Sequence, residues 1–319
     1  MVLDAGDLLY PTLSPVPLKE RKAVMDLKAQ AIIDAFNHMG CDAITIGDDE
    51  MLWGKENLLN MMKRAQFPVV SANLMDSGSG SPLFPPYVIK EMEGFRVGLF
   101  GLFSIPKSPE DDRYQGITVL DPFKTATQVV SELREKTDLV ILLSHLSYAK
   151  DLELAKNVEG LGVIVGGHTA FNLSHPRIIH GTVVVQVGRK GKSLGRMDIS
   201  FKDFAETFVN VETREMLKKR LVSIEAQQEQ LNKKESQDPG KTAQRMERLE
   251  RRKAETERIL RISEDHNEIV NRIVALRDDV GVDPGCEDVL RPYLLQISEA
   301  EKTPTRDEPS PPSPEQKPE

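Results

Sequence analysis

Short apolar runs alternate with amphipathic stretches over residues 1–201. Val2-Leu-Asp-Ala-Gly6 reads as a strand running into a loop. Residues 19–39 follow, with Val24, Leu27, Ile32, Ala35 and Phe36 at helical spacing, and Gly40 is placed to stop that helix. The pattern then predicts a strand over 42–47, a helix over 55–65 and a strand over 67–72. Two further strands, 86–91 and 95–103, are joined by a turn at Glu93-Gly94. A helix over 122–136 leads to Asp138-Leu-Val-Ile-Leu-Leu-Ser144, a continuous apolar run of the kind buried on both faces between helix layers. Another short helix leads to Val163-Ile-Val-Gly-Gly167. Pure β structure closes this part, at 177–180, 182–187 and 194–201, read as antiparallel hairpins.

The pattern changes after about residue 205. Residues 210–236 and 241–278 are rich in Glu, Lys, Arg, Gln and Leu and hold no aromatic residue, so they read as two long helices broken at Ser236-Gln-Asp-Pro-Gly240. Leu217, Leu221, Ile224 and Leu231 form a narrow stripe, as do Met246, Leu249, Leu260, Ile269, Ile273 and Leu276. Such stripes suit a helical hairpin or coiled coil over 205–300, with 210–278 as a surface for homo-oligomerisation. A short helix is expected at 286–299. The segment 301–319, with six prolines among charged residues, is expected to be a disordered acidic tail.

Composition narrows the function classes. At 39% hydrophobic content, 319 residues support a sizeable core over part of the chain only. A formal net charge of −8 argues against a nucleic-acid partner or an anionic-membrane surface. No apolar run is long enough to span a bilayer. Met1-Val-Leu-Asp4 lacks the features of a signal peptide, so the chain as written is expected in the cytoplasm. The two cysteines, Cys41 and Cys286, define neither a disulfide framework nor a thiolate metal site.

The chemistry gathers where strands end. Ala5-Gly6-Asp7, Gly47-Asp48-Asp49-Glu50, Ser144-His145 and Gly166-Gly167-His168 each put a metal-ligand type of residue directly after a predicted strand. Carboxyl ends of strands are where ligand sites of α/β folds collect. Each block alone is more often a turn or a helix start; the four together form an oxygen and nitrogen set suited to Mn²⁺, Fe, Zn²⁺ or Co²⁺. No Gly-X-Gly-X-X-Gly follows a strand, which sets aside a Rossmann-type nucleotide binder.

The order of these blocks, with Val70-Ser-Ala-Asn73 between the second and third and Gly181-Thr-Val-Val-Val-Gln-Val-Gly188 at the end, resembles the catalytic domain of the 5′-nucleotidase branch of the calcineurin-like metallophosphoesterases. The resemblance covers about residues 1–201 and implies a four-layer α/β/β/α sandwich over 1–203, a two-metal site and hydrolysis of phosphate monoesters. It places Asp7 as the metal-bridging aspartate, Asp48 where the family has an asparagine, and His145 and His168 as the two histidines of the same metal site. Asp49 stands where the family has the histidine that orients phosphate or protonates the leaving group, and is the catalytic candidate. Ala170 replaces a histidine of the second metal site, and the family's first motif, Asp-X-His, should precede residue 1. One complete divalent-metal site is therefore expected, with the second largely missing. His175 and His180 are candidate replacements for the lost ligand, and Arg189, Lys190 and Lys192 for the lost positive charge; both sets read more simply as ordinary surface or core residues.

Two functions follow from this resemblance. One is a phosphoester hydrolase of weakened activity acting on a small phosphate ester. The other is a catalytically degenerate scaffold whose helical hairpin docks a partner. Past residue 208 the sole aromatic residue is Tyr293, so the base-stacking domain of secreted 5′-nucleotidases is not expected here. Members of this branch are often exported, which would fit a start lying upstream.

Overall fold

A computed structural model describes residues 1–10, 21–105, 111–169, 171–188, 191–202, 208–233, 239–263 and 266–302. In chain order the elements are β1 (Leu3–Asp4), α1 (Lys22–Met39), β2 (Ala43–Thr45), α2 (Gly54–Met62), β3 (Val69–Val70), β4 (Leu74–Asp76), β5 (Tyr87–Met92) and β6 (Phe95–Phe103). They continue with β7 (Ile117–Val119), α3 (Pro122–Arg134), β8 (Leu139–His145), α4 (Tyr148–Asn157), β9 (Val163–Gly166), β10 (Arg177–Ile179), β11 (Thr182–Gln186) and β12 (Ser193–Ser200). The last are β13 (Phe208–Asn210), α5 (Val211–Lys233), α6 (Pro239–Ser263), β14 (Asn267–Ala275) and α7 (Pro284–Lys302).

Two sheets form the centre. The parallel sheet β1-β2-β3 faces a six-stranded sheet in the order β10-β11-β9-β8-β6-β5. The alternation of side chains along β8 shows how the layers stack. Leu139, Ile141 and Leu143 point into the core between the sheets, with Ala43, Val70 and Leu99. Val140 and Leu142 point the other way, under α3 and α4, with Ala126, Leu133 and Leu154. On the outer face of the small sheet, Ile44, Ile46 and Val69 pack against Ile33 of α1 and Leu58 of α2. Three cores separate four layers, the α/β/β/α sandwich that the sequence predicts. The sheets meet closely at Gly101, where an added Cβ would lie 2.2 Å from both Thr45 Oγ1 and the Val70 carbonyl oxygen. That leaves room for glycine alone.

The C-terminal part departs from the sequence expectation. The helix read over 241–278 stops at Ser263, and Asn267–Ala275 is a strand. It runs antiparallel to β12 from Ser193↔Ala275 to Ser200↔Glu268, and parallel to β13 on its other side. The expected pairing of 194–201 with the preceding hairpin is likewise replaced by this partner. Ile269 and Ile273 are four residues apart, a spacing that places two residues on one face in a strand as well as in a helix. The distinguishing signal is the β-branched density of Ile269-Val270 and Ile273-Val274, with Asn267, Ile269 and Asn271 all buried at period two. Ile269 and Phe208 then extend the core between the main sheets.

Helices α5 and α6 do lie side by side, with Ile224 and Leu249 buried and Lys253 paired to Glu225 at 2.8 Å. Helix α7 folds back onto α1, through His38–Asp283 at 3.0 Å, Lys28–Glu301 at 2.9 Å and a Tyr293–Asp34–Arg64 cluster. No helix among the described residues is long and apolar enough to cross a membrane. The tail prediction for 301–319 falls, beyond residue 302, outside the described residues.

Candidate metal centre

Strands β1, β2, β8 and β9 all run the same way or lie in facing parallel sets, so their C-terminal ends deliver Asp7, Asp48, His145 and His168 to one place. Each offers a ligand atom within 4.8 Å of the others. His145 is fully buried, whereas Asp7, Asp48 and His168 keep 27%, 17% and 29% of their side chains exposed, so the cluster opens to solvent on one side.

The backbone is bent to bring these atoms together. Asp7 and His168 both adopt left-handed φ, 62° and 61°, a conformation uncommon for residues with a Cβ and typical of functional turns. Gly47 fits between Asp7 and His145: a Cβ there would sit 2.3 Å from Asp7 Oδ1 and 2.8 Å from His145 Cε1. Glu50 holds the arrangement from beneath. Its carboxylate is buried and accepts four backbone N–H bonds, from Asp7 (2.9 Å) and Gly47 (2.7 Å) on one oxygen and from Leu8 (2.7 Å) and Leu9 (2.9 Å) on the other. It thus ties the turn after β1 to the turn after β2. Burial pushes its carboxyl up, while the four donors favour the ionised form.

The imidazoles are oriented just as definitely. His145 Nδ1 donates to the Ala5 carbonyl oxygen at 2.8 Å, which turns Nε2 toward Asp48 Oδ1 (3.0 Å) and Asp7 Oδ1 (3.3 Å). His168 Nδ1 meets the same Asp48 oxygen at 3.0 Å. Desolvation pulls the His145 pKa down, but the bonds to Asp48 and Asp7 prevail and push it up to about 10. Burial would raise Asp48; the two histidine bonds instead hold it well below the usual carboxylate range. His145 is therefore held as an imidazolium between two carboxylates, and its proton occupies a place that a cation can take. A carbonyl-anchored imidazole beside two carboxylates is the outer-sphere arrangement that metal-ligating histidines show. The donor set fits a hard or borderline divalent ion.

The other candidates are dispersed. The Asp49 backbone N–H donates to Asp7 Oδ1 at 2.9 Å. His175 lies 3.6 Å from Glu212, and His180 bonds the Lys156 carbonyl oxygen; neither joins the cluster. The Lys192 carbonyl belongs to the pairing with Leu276 at the far end of β14. Ala170, Arg189 and Lys190 lie outside the described residues.

One buried acid behind the site escaped the sequence reading. Asp151, on the first turn of α4, takes a hydrogen bond from Ser144 Oγ, and its other oxygen has no partner. Burial pushes its carboxyl up to about 7. The unfolded chain ionises this group near 3.8, so between those values unfolding releases a proton. Stability is expected to fall as pH rises from about 4 to 7 and to level off above it, where both states are ionised. Asp151→Asn should flatten that decline. Urea midpoints at several pH values between 4 and 8 measure it, and an unchanged slope in the variant would place the effect elsewhere.

Comparison with known proteins follows the same lines. No family model matches the chain. It is 30% identical over 224 residues to a protein of Treponema pallidum named "Probable 5′-nucleotidase", covering 63% of this chain and 36% of that one. It is 28% identical over 243 residues to the trifunctional nucleotide phosphoesterase YfkN of Bacillus subtilis, covering 64% of this chain and 16% of that one. The chain thus spans well under half the length of these relatives. The crystal structure of the calcineurin-like phosphoesterase YfkN superposes with a TM-score of 0.59 at 19% identity, over 94% of this chain and 84% of that one, a likeness of fold. Sequence similarity, four-layer fold and strand-end cluster point the same way: the chain is similar to proteins of the 5′-nucleotidase branch of the calcineurin-like metallophosphoesterases.

Proposed function

We propose that the chain is a divalent-metal-dependent phosphoester hydrolase of 5′-nucleotidase type, working through one four-ligand site at reduced power on a small phosphate monoester. The observation that carries this reading is the convergence of Asp7, Asp48, His145 and His168 within 4.8 Å, with the buried imidazole already aimed by the Ala5 carbonyl. A divalent ion held there supplies Lewis acidity and activates water. The chain's own groups set the geometry. Glu50 fixes both carboxylate-bearing turns, His145 is held in one orientation, and the exposed edge of Asp7, Asp48 and His168 faces the incoming ester.

The reduction in power rests on Asp49. A carboxylate at the position of the family's histidine offers no positive charge to a phosphoryl group in the transition state, and it repels a phosphate dianion. The same residue favours the second reading, a metal-binding scaffold without turnover.

One experiment separates them. Metal content of the purified chain is measured alongside hydrolysis of p-nitrophenyl phosphate over Mn²⁺, Co²⁺ and Zn²⁺. The expected result is one bound ion and slow turnover that disappears in Asp7→Ala and His168→Ala. Metal bound without turnover establishes the scaffold. Asp49→His, which keeps the backbone donor to Asp7, is expected to raise kcat by about 100-fold, the low end of what a positioned acid or cation contributes.

A further inference from the structure

A phosphoryl-binding site needs a cation, and the described contacts of Asp7 and Asp48 offer imidazoles alone. Around them stand Asp49 and Glu50, so the cluster is rich in negative charge. The three cations read from the sequence do not answer the need: two lie outside the described residues and Lys192 belongs to the β12–β14 end.

The fold brings up another. A single 3-10 turn, Asp112–Tyr114, lies between β6 and β7 and packs beside the start of α2, the helix that follows the Asp48–Glu50 turn; an added Cβ at Gly54 would meet the Arg113 carbonyl oxygen at 4.0 Å. Arg113 is held in place twice. Asp111 takes Nε and Nη2 in a fork, at 3.0–3.1 Å and 2.7 Å. The Tyr114 ring lies under the guanidinium, 5.6 Å away. Tyr114 in turn packs on Phe103 at 6.1 Å, and Phe103 stacks on His145 at 6.3 Å. The fork to Asp111 uses one edge of the guanidinium and leaves Nη1 turned away from it. The side chain is 32% exposed, so part of it is reachable from solvent. The charge of Arg113 is coupled to Asp48 as well as to Asp111. Independently, the Tyr114 hydroxyl is buried without a partner, on a residue 4% exposed, and it feels both Asp48 and Asp7. A buried hydroxyl with no hydrogen-bond partner among the described residues can meet an oxygen that arrives with a ligand.

We infer that Arg113, held by Asp111 and Tyr114, is the phosphate-binding cation of this site, contacting non-bridging oxygens of the substrate's phosphoryl group. A planar, preoriented guanidinium recognises such oxygens two at a time. It supplies the positive charge absent at Asp49, and it explains why a carboxylate can be tolerated there. This rests on the hydrolase reading, and adds to it the residue that holds the substrate.

The probe is inorganic phosphate, titrated by calorimetry into the full chain loaded with Mn²⁺, after the Mn²⁺ affinity itself has been measured. Arg113→Ala is expected to weaken phosphate binding at least tenfold and to leave Mn²⁺ affinity within about twofold. Arg113→Lys should recover only part of the loss, because an ammonium cannot reproduce the fork, and Tyr114→Phe should weaken phosphate binding several-fold. Thermal midpoints verify that each variant is folded. Phosphate affinity unchanged in Arg113→Ala, with the unaltered chain binding both metal and phosphate, overturns this inference and leaves the hydrolase reading standing. Failure of the unaltered chain to bind Mn²⁺ or phosphate overturns both.

Discussion

Glu50→Gln is expected to destabilise the chain by several kcal/mol and to abolish metal binding, although it changes one atom. The carboxylate accepts N–H bonds from Asp7, Leu8, Leu9 and Gly47, two on each oxygen. Glutamine replaces one of those oxygens by an NH₂ group, which donates and cannot accept. Two backbone donors then face a third donor in a buried site. Bonds to a charged acceptor contribute about 1.5–3 kcal/mol each, and an orphaned buried donor costs about 1–3 kcal/mol. Against a typical total of about 5–15 kcal/mol, the loss is a large fraction of the stability. The turn carrying Asp7 is held in left-handed φ, so its release should also move a ligand away from the other three. Urea unfolding at pH 7 and Mn²⁺ titration measure the two effects. A midpoint equal to the unaltered chain's, with metal still bound, would remove Glu50 from its role as the clasp.

That role shows where sequence reading reaches its limit. The four residues of the cluster were legible as strand-end residues of metal-ligand type, as His145 after the apolar run Asp138–Ser144. Burial of β8 on both faces was legible in its continuous apolar run, while the four-layer order came with the family resemblance. Glu50 reads as one more acid in Gly47-Asp-Asp-Glu50. Its function depends on β1 and β2 being neighbours, which sets Leu8 and Leu9 above it. Asp151 sits in a polar stretch of an amphipathic helix, where nothing in the sequence marks it as fully buried. Arg113 follows two aspartates, which reads as a solvated loop until the fold packs its turn beside the start of α2. Strands β4 and β7, three residues each, are too short to show a period. Strand β14 was missed for the opposite reason: its four-residue repeat satisfies a helix as well as a strand, and the helical composition before it decided the reading.

The second large effect is expected at Asp48, where two substitutions should behave differently. Asp48 Oδ1 meets both His145 Nε2 and His168 Nδ1 at 3.0 Å, so one oxygen aligns both imidazoles. Asp48→Ala removes a ligand atom and releases His168, which is held by no other described side chain of the cluster. Mn²⁺ affinity should fall at least 100-fold, equivalent to about 2.7 kcal/mol. His145 would keep only Asp7 as an anionic partner, so its pKa should drop from the raised value and its buried charge would become costly. Asp48→Asn keeps an oxygen at the same place and gives up a charge. It should retain the metal with an affinity reduced by about tenfold, and its carbonyl oxygen can still align both imidazoles. Because binding must displace the proton held on His145, affinity in the unaltered chain should strengthen as pH rises, with proton release visible as a buffer-dependent heat of binding. Asp48→Asn weakens the hold on that proton, so its binding should depend less on pH. Equal losses in the alanine and asparagine variants would mean that the charge of Asp48, and not its oxygen, is what the cluster requires.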